Sequence, residues 1–498
     1  MPLQSPVKSR ILSRYKLLLF SIIFSAGVFL RLHNLLETTS WYGDPGRDLL
    51  VARHLVYYRD AFLIASPADS RVYILNHSAI YYWIVAIFYF FSQTENGVIL
   101  LFAYVGIATV LIAYFVSKEL YTDAKTLILP LVISISPTLI VTSRSVWQPH
   151  LLPFFELVSL LFLFRGIKSS TLYFYLSVQF AFLAFHLHYQ YLFILVITIL
   201  YVTRIFLIKK NYIEFLKFII FVVINTGIWL YLTRALFNLQ EQTTSLSSIF
   251  IQGNLTHSYL SHLVSSMAVL GEGFFGTNYS SFIYFLLPLV FFSLIKIYSN
   301  SSYLYKETSK LLLIMLLTFF FFGTFYRDIS LHHSISYHLL ILVSIAFIFG
   351  SFWKFRFVAL TLFIMFTIGL IMGDINLFQS MGKNELSISK RVALAIVNHS
   401  KNSNIRIWVC LYQWEHCQNK DWYTAFIYYF LENYYNMKLG QVTNRGNNFE
   451  PRVHLDSNAK TYIICFYLKQ KCVEDLDLKV NQIEILYEYE NTSAAYIK

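Results

Sequence analysis

The chain has 498 residues, of which 57% are hydrophobic and only 13% charged, with a mean hydropathy of +0.55. A soluble domain carries about 25% charged residues, so this composition excludes an ordinary soluble protein and puts most of the chain in a bilayer. The net charge of +12 does not point to nucleic acid, because Lys and Arg sit in short clusters between apolar runs, the pattern that orients membrane spans.

In chain order, a basic start with Lys8, Arg10, Arg14 and Lys16 precedes an apolar run over residues 17–32. No small-residue cleavage site follows, so the run reads as a retained anchor with a cytoplasmic N-terminus. Residues 33–97 form a first external loop. Within it, 77–93 is short for a span of about 20 residues. The TENG that follows lacks Lys and Arg, so 77–93 reads as an interfacial or re-entrant helix on the outer face. Spans are then predicted over 98–116, 126–141, 151–164, 172–185, 191–208, 215–233, 281–295, 311–325, 336–352 and 357–372, with a long external loop over 234–280. The total is about eleven transmembrane helices, and the basic clusters fall on one side. Making 77–93 a full span would turn every later basic cluster outward.

From residue 373 the character changes. Charges, Asn and Gln return, and short strand-like stretches appear: IRIWVCLY, TYIICFYL and QIEILYEY, with TAFIYYFLENYY reading as an amphipathic helix. The fold class is therefore an all-α polytopic membrane domain, residues 1–372, with a small extracytoplasmic α/β domain over 373–498. That domain holds all four cysteines, Cys410, Cys417, Cys465 and Cys472, as two pairs with the same gap. Disulfides in an oxidising compartment are expected; pairing within or between the pairs is open.

The chemistry concentrates in WYGDPGRDLL, residues 41–50, directly after the first span. Asp44 is the candidate base: a carboxylate at a water–membrane boundary can accept a proton from an acceptor hydroxyl. Pro45 and Gly46 predict a loop there, with a helix starting near Asp48, which can cap it. Arg47, Asp48 and Arg53 are candidate substrate contacts. His77 opens the interfacial helix, either satisfied by a carbonyl or serving Asp44 or substrate. The external edge SRSVWQPH supplies Arg144, Gln148 and His150, and HLHYQ supplies His188 and Gln190. An Arg there can hold a lipid-linked phosphate bidentately. Arg234, Arg327 and His332 at span ends are further anion-binding candidates; snorkelling to the interface explains any one of them equally well. Zinc-type spacing is not visible, so no metal is expected. No Walker, GxSxG, HExxH or metal-type CxxC motif is present.

These segments resemble a known group. YGDPGRDLLVARHL is similar to the Asp-containing first-loop motif, NHSAIYYWIVA to an HPPLYYWL helix, and SRSVWQPHLLPFF to a segment of the form SR...D.LL.FF. All three belong to the GT-C superfamily of membrane glycosyltransferases, and within it the chain looks most like family 39, the protein O-mannosyltransferases and the lipid A aminoarabinose transferase. The oligosaccharyltransferase catalytic subunit has a similar first loop, but its WWDYG signature is absent. The resemblance covers residues 15–370 and is strongest over 17–200. It implies an inverting transferase with a polyprenyl-phosphate sugar donor, Asp44 as base and Arg144 as the second motif's Arg. It names no cofactor and leaves the acceptor open among protein, lipid and glycan. Three positions depart from the family: Pro45 replaces a Glu, Ser78-Ala79 replace Pro-Pro, and Gln148-Pro149-His150 stand where the second motif has its Asp. Rival readings are a lipid-linked sugar transporter, a surface polysaccharide ligase using His257, His262 and Glu272, and a scaffold with a degenerate membrane part.

Overall fold

The computed structural model describes residues 6–41, 44–58, 78–233, 258–275, 277–325, 334–351, 363–371, 373, 385–400, 405–411, 427, 429–431, 460–466, 483–489 and 492–497. The first part is helical. α1 (Pro6–Leu32) is followed by one turn, α2 (Leu35–Thr38), then α3 (Asp44–Tyr58), α4 (Ile80–Ser92), α5 (Glu95–Leu120), α6 (Ile128–Ser134), α7 (Pro137–Thr142), α8 (Leu152–Lys168), α9 (Leu172–Leu187), α10 (Leu192–Ile208) and α11 (Tyr212–Thr233). α12 (Ser258–Phe275), α13 (Ile283–Asn300), α14 (Tyr303–Phe325) and α15 (Ile335–Ser351) complete the bundle.

Among the described residues, five helices are long and apolar enough to cross a bilayer: 14–32, 95–120, 148–168, 212–232 and 280–299. α4 has 13 residues, about 20 Å at 1.5 Å per residue, against a hydrocarbon core of about 30 Å. Its end is written in the sequence. Gln93 takes the left-handed conformation and closes α4 through its N–H to Tyr89 O; Thr94 caps α5, its hydroxyl accepting the Gly97 N–H at 3.2 Å. α4 and α5 are thereby folded against each other as a tight hairpin.

Two expectations are corrected. The single span expected over 126–141 is two short helices. Ser136 is extended (φ −76°, ψ 119°) because Pro137 follows it, and Pro137, lacking an N–H, starts the next helix. The external loop expected over 234–280 contains α12, whose Leu270, Phe274 and Phe275 are buried in the bundle. Thr138 on α7 donates to Gly273 O of α12 at 2.7 Å. Residues 234–257 lie outside the described part.

Close helix contacts depend on glycine at defined places. Gly350 on α15 faces the ring of Tyr121, whose hydroxyl donates to Phe347 O at 2.7 Å and which is only 5% exposed. A methyl at 350 would overlap that fixed ring. Gly350→Ala is therefore expected to lower stability by roughly 1–3 kcal/mol, read as a lower thermal midpoint in detergent.

The C-terminal part carries α16 (Glu385–Ser400) and a four-stranded sheet. β1 (Ile405–Leu411) pairs parallel with β2 (Lys460–Phe466), with Cys410 in register with Cys465; β4 (Thr492–Ile497) lies antiparallel between β2 and β3 (Ile483–Tyr489). α16 buries Leu386, Ile388, Val392, Ala393 and Ile396 at helical spacing, and it packs on the sheet. β4 lies outside the three stretches read as strands. Cys417 and Cys472 lie outside the described residues.

Candidate functional site

α3 begins at Asp44 itself. This corrects the expected loop at 44–47 and the cap role of Asp48. Pro45 is tolerated because a first-turn N–H has no intrahelical acceptor, and its fixed φ suits a helix start. Asp44 and Asp48 consequently fall one turn apart on one face, with Arg47 between them.

The Arg47 guanidinium joins the two carboxylates. Its Nη1 is 2.7 Å from Asp44 Oδ1, while Nε and Nη2 donate to Asp48 Oδ1 at 2.9 and 2.7 Å. The Tyr81 hydroxyl, from the first turn of α4, donates to Asp48 Oδ2 at 2.7 Å. Asp48 is fully buried, whereas the Asp44 side chain is 24% exposed. Among the described residues Asp44 pairs with Arg47, through Oδ1. Burial pushes the Asp48 carboxyl up to about 6, against the pull of Arg47 and the Tyr81 hydrogen bond. Burial works to lower the Arg47 pKa, but the two carboxylates outweigh it and hold the guanidinium well above its ordinary value. One partly exposed carboxylate thus sits beside a cation whose orientation is fixed from behind.

The start of α4 has a second tether. His186, in the last turn of α9, has Nδ1 2.9 Å from Ser78 Oγ. His186 belongs to the HLHYQ segment, whose histidines are expected in hydrogen-bonding roles; His77, beside Ser78, lies outside the described residues. Arg53, the further candidate substrate contact on α3, is not beside Asp44. It lies nine residues along α3, about 14 Å away at 1.5 Å per residue, and its guanidinium stacks over Tyr57 at 5.2 Å. Beyond it, Leu55 and Val56 of α3 and Ala86, Ile87, Phe90 and Phe91 of α4 line an apolar groove of about 440 Å³.

Arg144 is corrected as a phosphate ligand. It is 1% exposed. Its Nη1 donates to Leu30 O (2.8 Å) and Arg31 O (3.2 Å), and its Nη2 to His33 O (2.8 Å) and to Thr38 Oγ1. The carbonyls at the end of a helix have no intrahelical donors, and Arg144 supplies them for α1. Arg31, absent from the site reading, does the same for α6 by donating to Ile133 O and Ser134 O. His188 Nδ1 accepts the Gln190 N–H at 3.3 Å, closing the turn after α9. His150 Nδ1 lies 3.0 Å from both Ser145 O and Ser145 Oγ. The Gln148 Nε2 and both amide atoms of Gln190 are buried with no partner among the described residues. Arg234, Arg327 and His332 lie outside the described residues. Among those described, no three His, Cys, Asp or Glu side chains gather as metal ligands.

Glu156 on α8 was missed. It is fully buried, neither carboxyl oxygen has a hydrogen-bond partner within ordinary distance among the described residues, and Ser336 and Tyr191 face it. A glutamate inside LLPFFELVSLLF is itself the signal, since an ionisable group within a span is costly to keep.

No family model matches the sequence, and no curated protein matches it. Solved structures do. ArnT from Cupriavidus metallidurans in the apo state aligns with a TM-score of 0.58 at 12% identity, covering 97% of this chain and 98% of that one. Its structure bound to undecaprenyl phosphate gives 0.58, 12%, 96% and 97%. The Archaeoglobus fulgidus oligosaccharyltransferase in the apo form aligns with a TM-score of 0.52 at 10% identity, over 90% of this chain and 69% of that one. This chain shares their fold. The resemblance expected from the first-loop motif therefore holds at the level of the backbone, over nearly the whole chain in the case of ArnT.

Proposed function

We propose that this chain is an integral membrane glycosyltransferase that moves a sugar from a polyprenyl-phosphate donor to an acceptor hydroxyl at the outer face, with inversion. The observation that carries the reading is the Asp44–Arg47–Asp48–Tyr81 cluster at the head of α3, in a chain with the fold of ArnT. Asp44 takes the acceptor's proton as the acceptor oxygen attacks the anomeric carbon. The bond from that carbon to the phosphate oxygen breaks, and polyprenyl phosphate leaves. Negative charge grows on the leaving phosphate, where a preoriented cation is most effective. Arg47, the described guanidinium beside Asp44, can supply it, with Arg234, Arg327 and His332 as further candidates. The apolar groove on α3 and α4 supports the reading by offering an isoprenoid chain a slot on the helices that carry Asp44 and Tyr81. The reading invokes no metal ion, and it places the N-terminus in the cytoplasm with about eleven spans.

The test is to purify the protein in detergent and offer radiolabelled polyprenyl-phosphate monosaccharides. Release of polyprenyl phosphate is expected; binding without release from every donor would leave a transporter or scaffold.

A pH dependence follows from Asp48. Its folded pKa of about 6 lies above the ordinary carboxylate value, so the folded chain takes up this proton first as pH falls. Acidification through 6 therefore favours the fold at this one group, yet it removes the charge that holds Arg47. Transfer is expected to decline as pH falls through about 6. Asp48→Asn, already neutral, should be slower and should lack that limb; a limb near 6 surviving in the variant assigns it to another group.

A further inference from the structure

The C-terminal part is not a separate appendage. Its contacts converge on the segment that leads into α3. Glu385, the first residue of α16, accepts the backbone N–H of Trp41 at 2.8 Å on Oε2, and the Ser40 hydroxyl reaches the same oxygen at 3.4 Å. Trp41 is fully buried, with Tyr429 and Phe430 against its ring at 5.7 and 5.3 Å. A second set of contacts holds the α4–α5 turn. Lys390, just over one turn along α16, pairs with the fully buried Glu95 at the start of α5 at 2.5 Å, and the Tyr429 hydroxyl donates to Glu95 Oε2 at 3.3 Å. Lys390 also lies over the Phe430 ring at 5.7 Å. One helix of the terminal part thus grips the chain three residues before Asp44 and also the hairpin that carries Tyr81.

We propose that Glu385 is a positioning residue for Asp44, and that the C-terminal part acts as a clamp that sets the geometry of the head of α3. The proposal rests on Asp44 being the base of the transfer. A carboxylate accepting a backbone N–H makes a strong, charge-assisted bond. Here it holds a residue that belongs to no helix or strand. The Arg47 and Tyr81 contacts hold the first turns of α3; Glu385 holds the chain just before them. Positioning of this kind affects the rate steeply, because a displacement of about 1 Å can cost roughly 10²-fold. The clamp also gives the terminal part a role in the reaction without requiring it to touch donor or acceptor.

The experiment compares Glu385→Gln, Glu385→Asp and Glu385→Ala in the full chain, reading transfer kinetics and amide deuterium exchange of the peptide containing Trp41. Gln keeps the reach and an acceptor oxygen, so it should retain most of kcat and the exchange protection. Asp keeps the charge but is one methylene short, so it should behave like Ala. In both, exchange at Trp41 should rise roughly ten- to hundred-fold, and kcat should fall by roughly ten- to hundred-fold with donor KM unchanged. Should the Ala protein fail to fold, the Asp and Gln pair decides. Full kcat in the Asp variant, or loss in Gln with retention in Asp, overturns the proposal while leaving the transferase reading intact. Absence of transfer by the wild-type chain overturns the transferase reading and this one with it.

Discussion

Asp44→Asn is expected to lower sugar transfer by roughly 10²–10⁴-fold, the usual contribution of a positioned general base, with little change in thermal midpoint. The two halves of this expectation have separate physical origins. Asn is isosteric with Asp, so packing at the head of α3 is kept; what is lost is the proton acceptor and one of the two charges on Arg47. Arg47 stays anchored through two bonds to Asp48. The lost ion pair joins side chains that are 13% and 24% exposed, but Arg47 keeps its second carboxylate, so the cost should stay near the upper end of the range for accessible pairs, about 1 kcal/mol. Donor binding should therefore survive, measured by retention of a radiolabelled polyprenyl-phosphate sugar on the detergent-purified protein. Glu at 44 keeps the chemistry but displaces it by a methylene, and it should recover only part of the rate. Wild-type turnover in the Asn variant would sink the assignment of Asp44 as base.

Arg144→Met is expected to act on stability, lowering it by roughly 3 kcal/mol or more. The guanidinium serves three backbone carbonyls at the end of α1, besides the Thr38 hydroxyl. A buried acceptor left without its donor costs about 1–3 kcal/mol, and Met fills the volume without replacing a single donor. Burial has already lowered the Arg144 pKa to about 10, so it remains charged at neutral pH and its bonds are charge-assisted. Lys should rescue poorly, since one ammonium cannot reproduce a planar fork that reaches several acceptors. The measurement is thermal unfolding in detergent, alongside donor KM in the folded fraction. A variant with wild-type stability and weakened donor binding would restore Arg144 to the phosphate.

The contrast between these two residues shows what a sequence carries. Asp44 and Arg144 are read from two separate motifs, residues 41–50 and 143–150, by the same reasoning, a charged group at a membrane edge. Nothing local separates them. The difference is that Asp44 sits at a helix start with part of its side chain outside, while Arg144 faces the end of a helix more than a hundred residues earlier in the chain. The same holds for Arg53, close to Asp44 in sequence but nine residues round and along a helix. The helix start was missed because Pro45-Gly46 reads as a turn locally, although Pro is equally suited to a first helical turn. The break at Ser136 was legible in principle, since the residue before a proline disfavours helix. The apolar run continues in composition on both sides of it.

The sequence by itself determined the medium, the helical class and the place where polar chemistry gathers. Composition, the period of apolar runs and the scarcity of charge are local quantities, and a bilayer imposes them on every span separately. The tertiary structure decided which charged groups remain available to a ligand and which are consumed in holding helices together. It also decided that Arg47 is shared between Asp44 and Asp48, that Tyr81 and His186 fix the start of α4, and that Glu385 reaches back to Trp41. These depend on contacts between residues far apart in the chain, and the energy of a buried charge is set by what surrounds it in space.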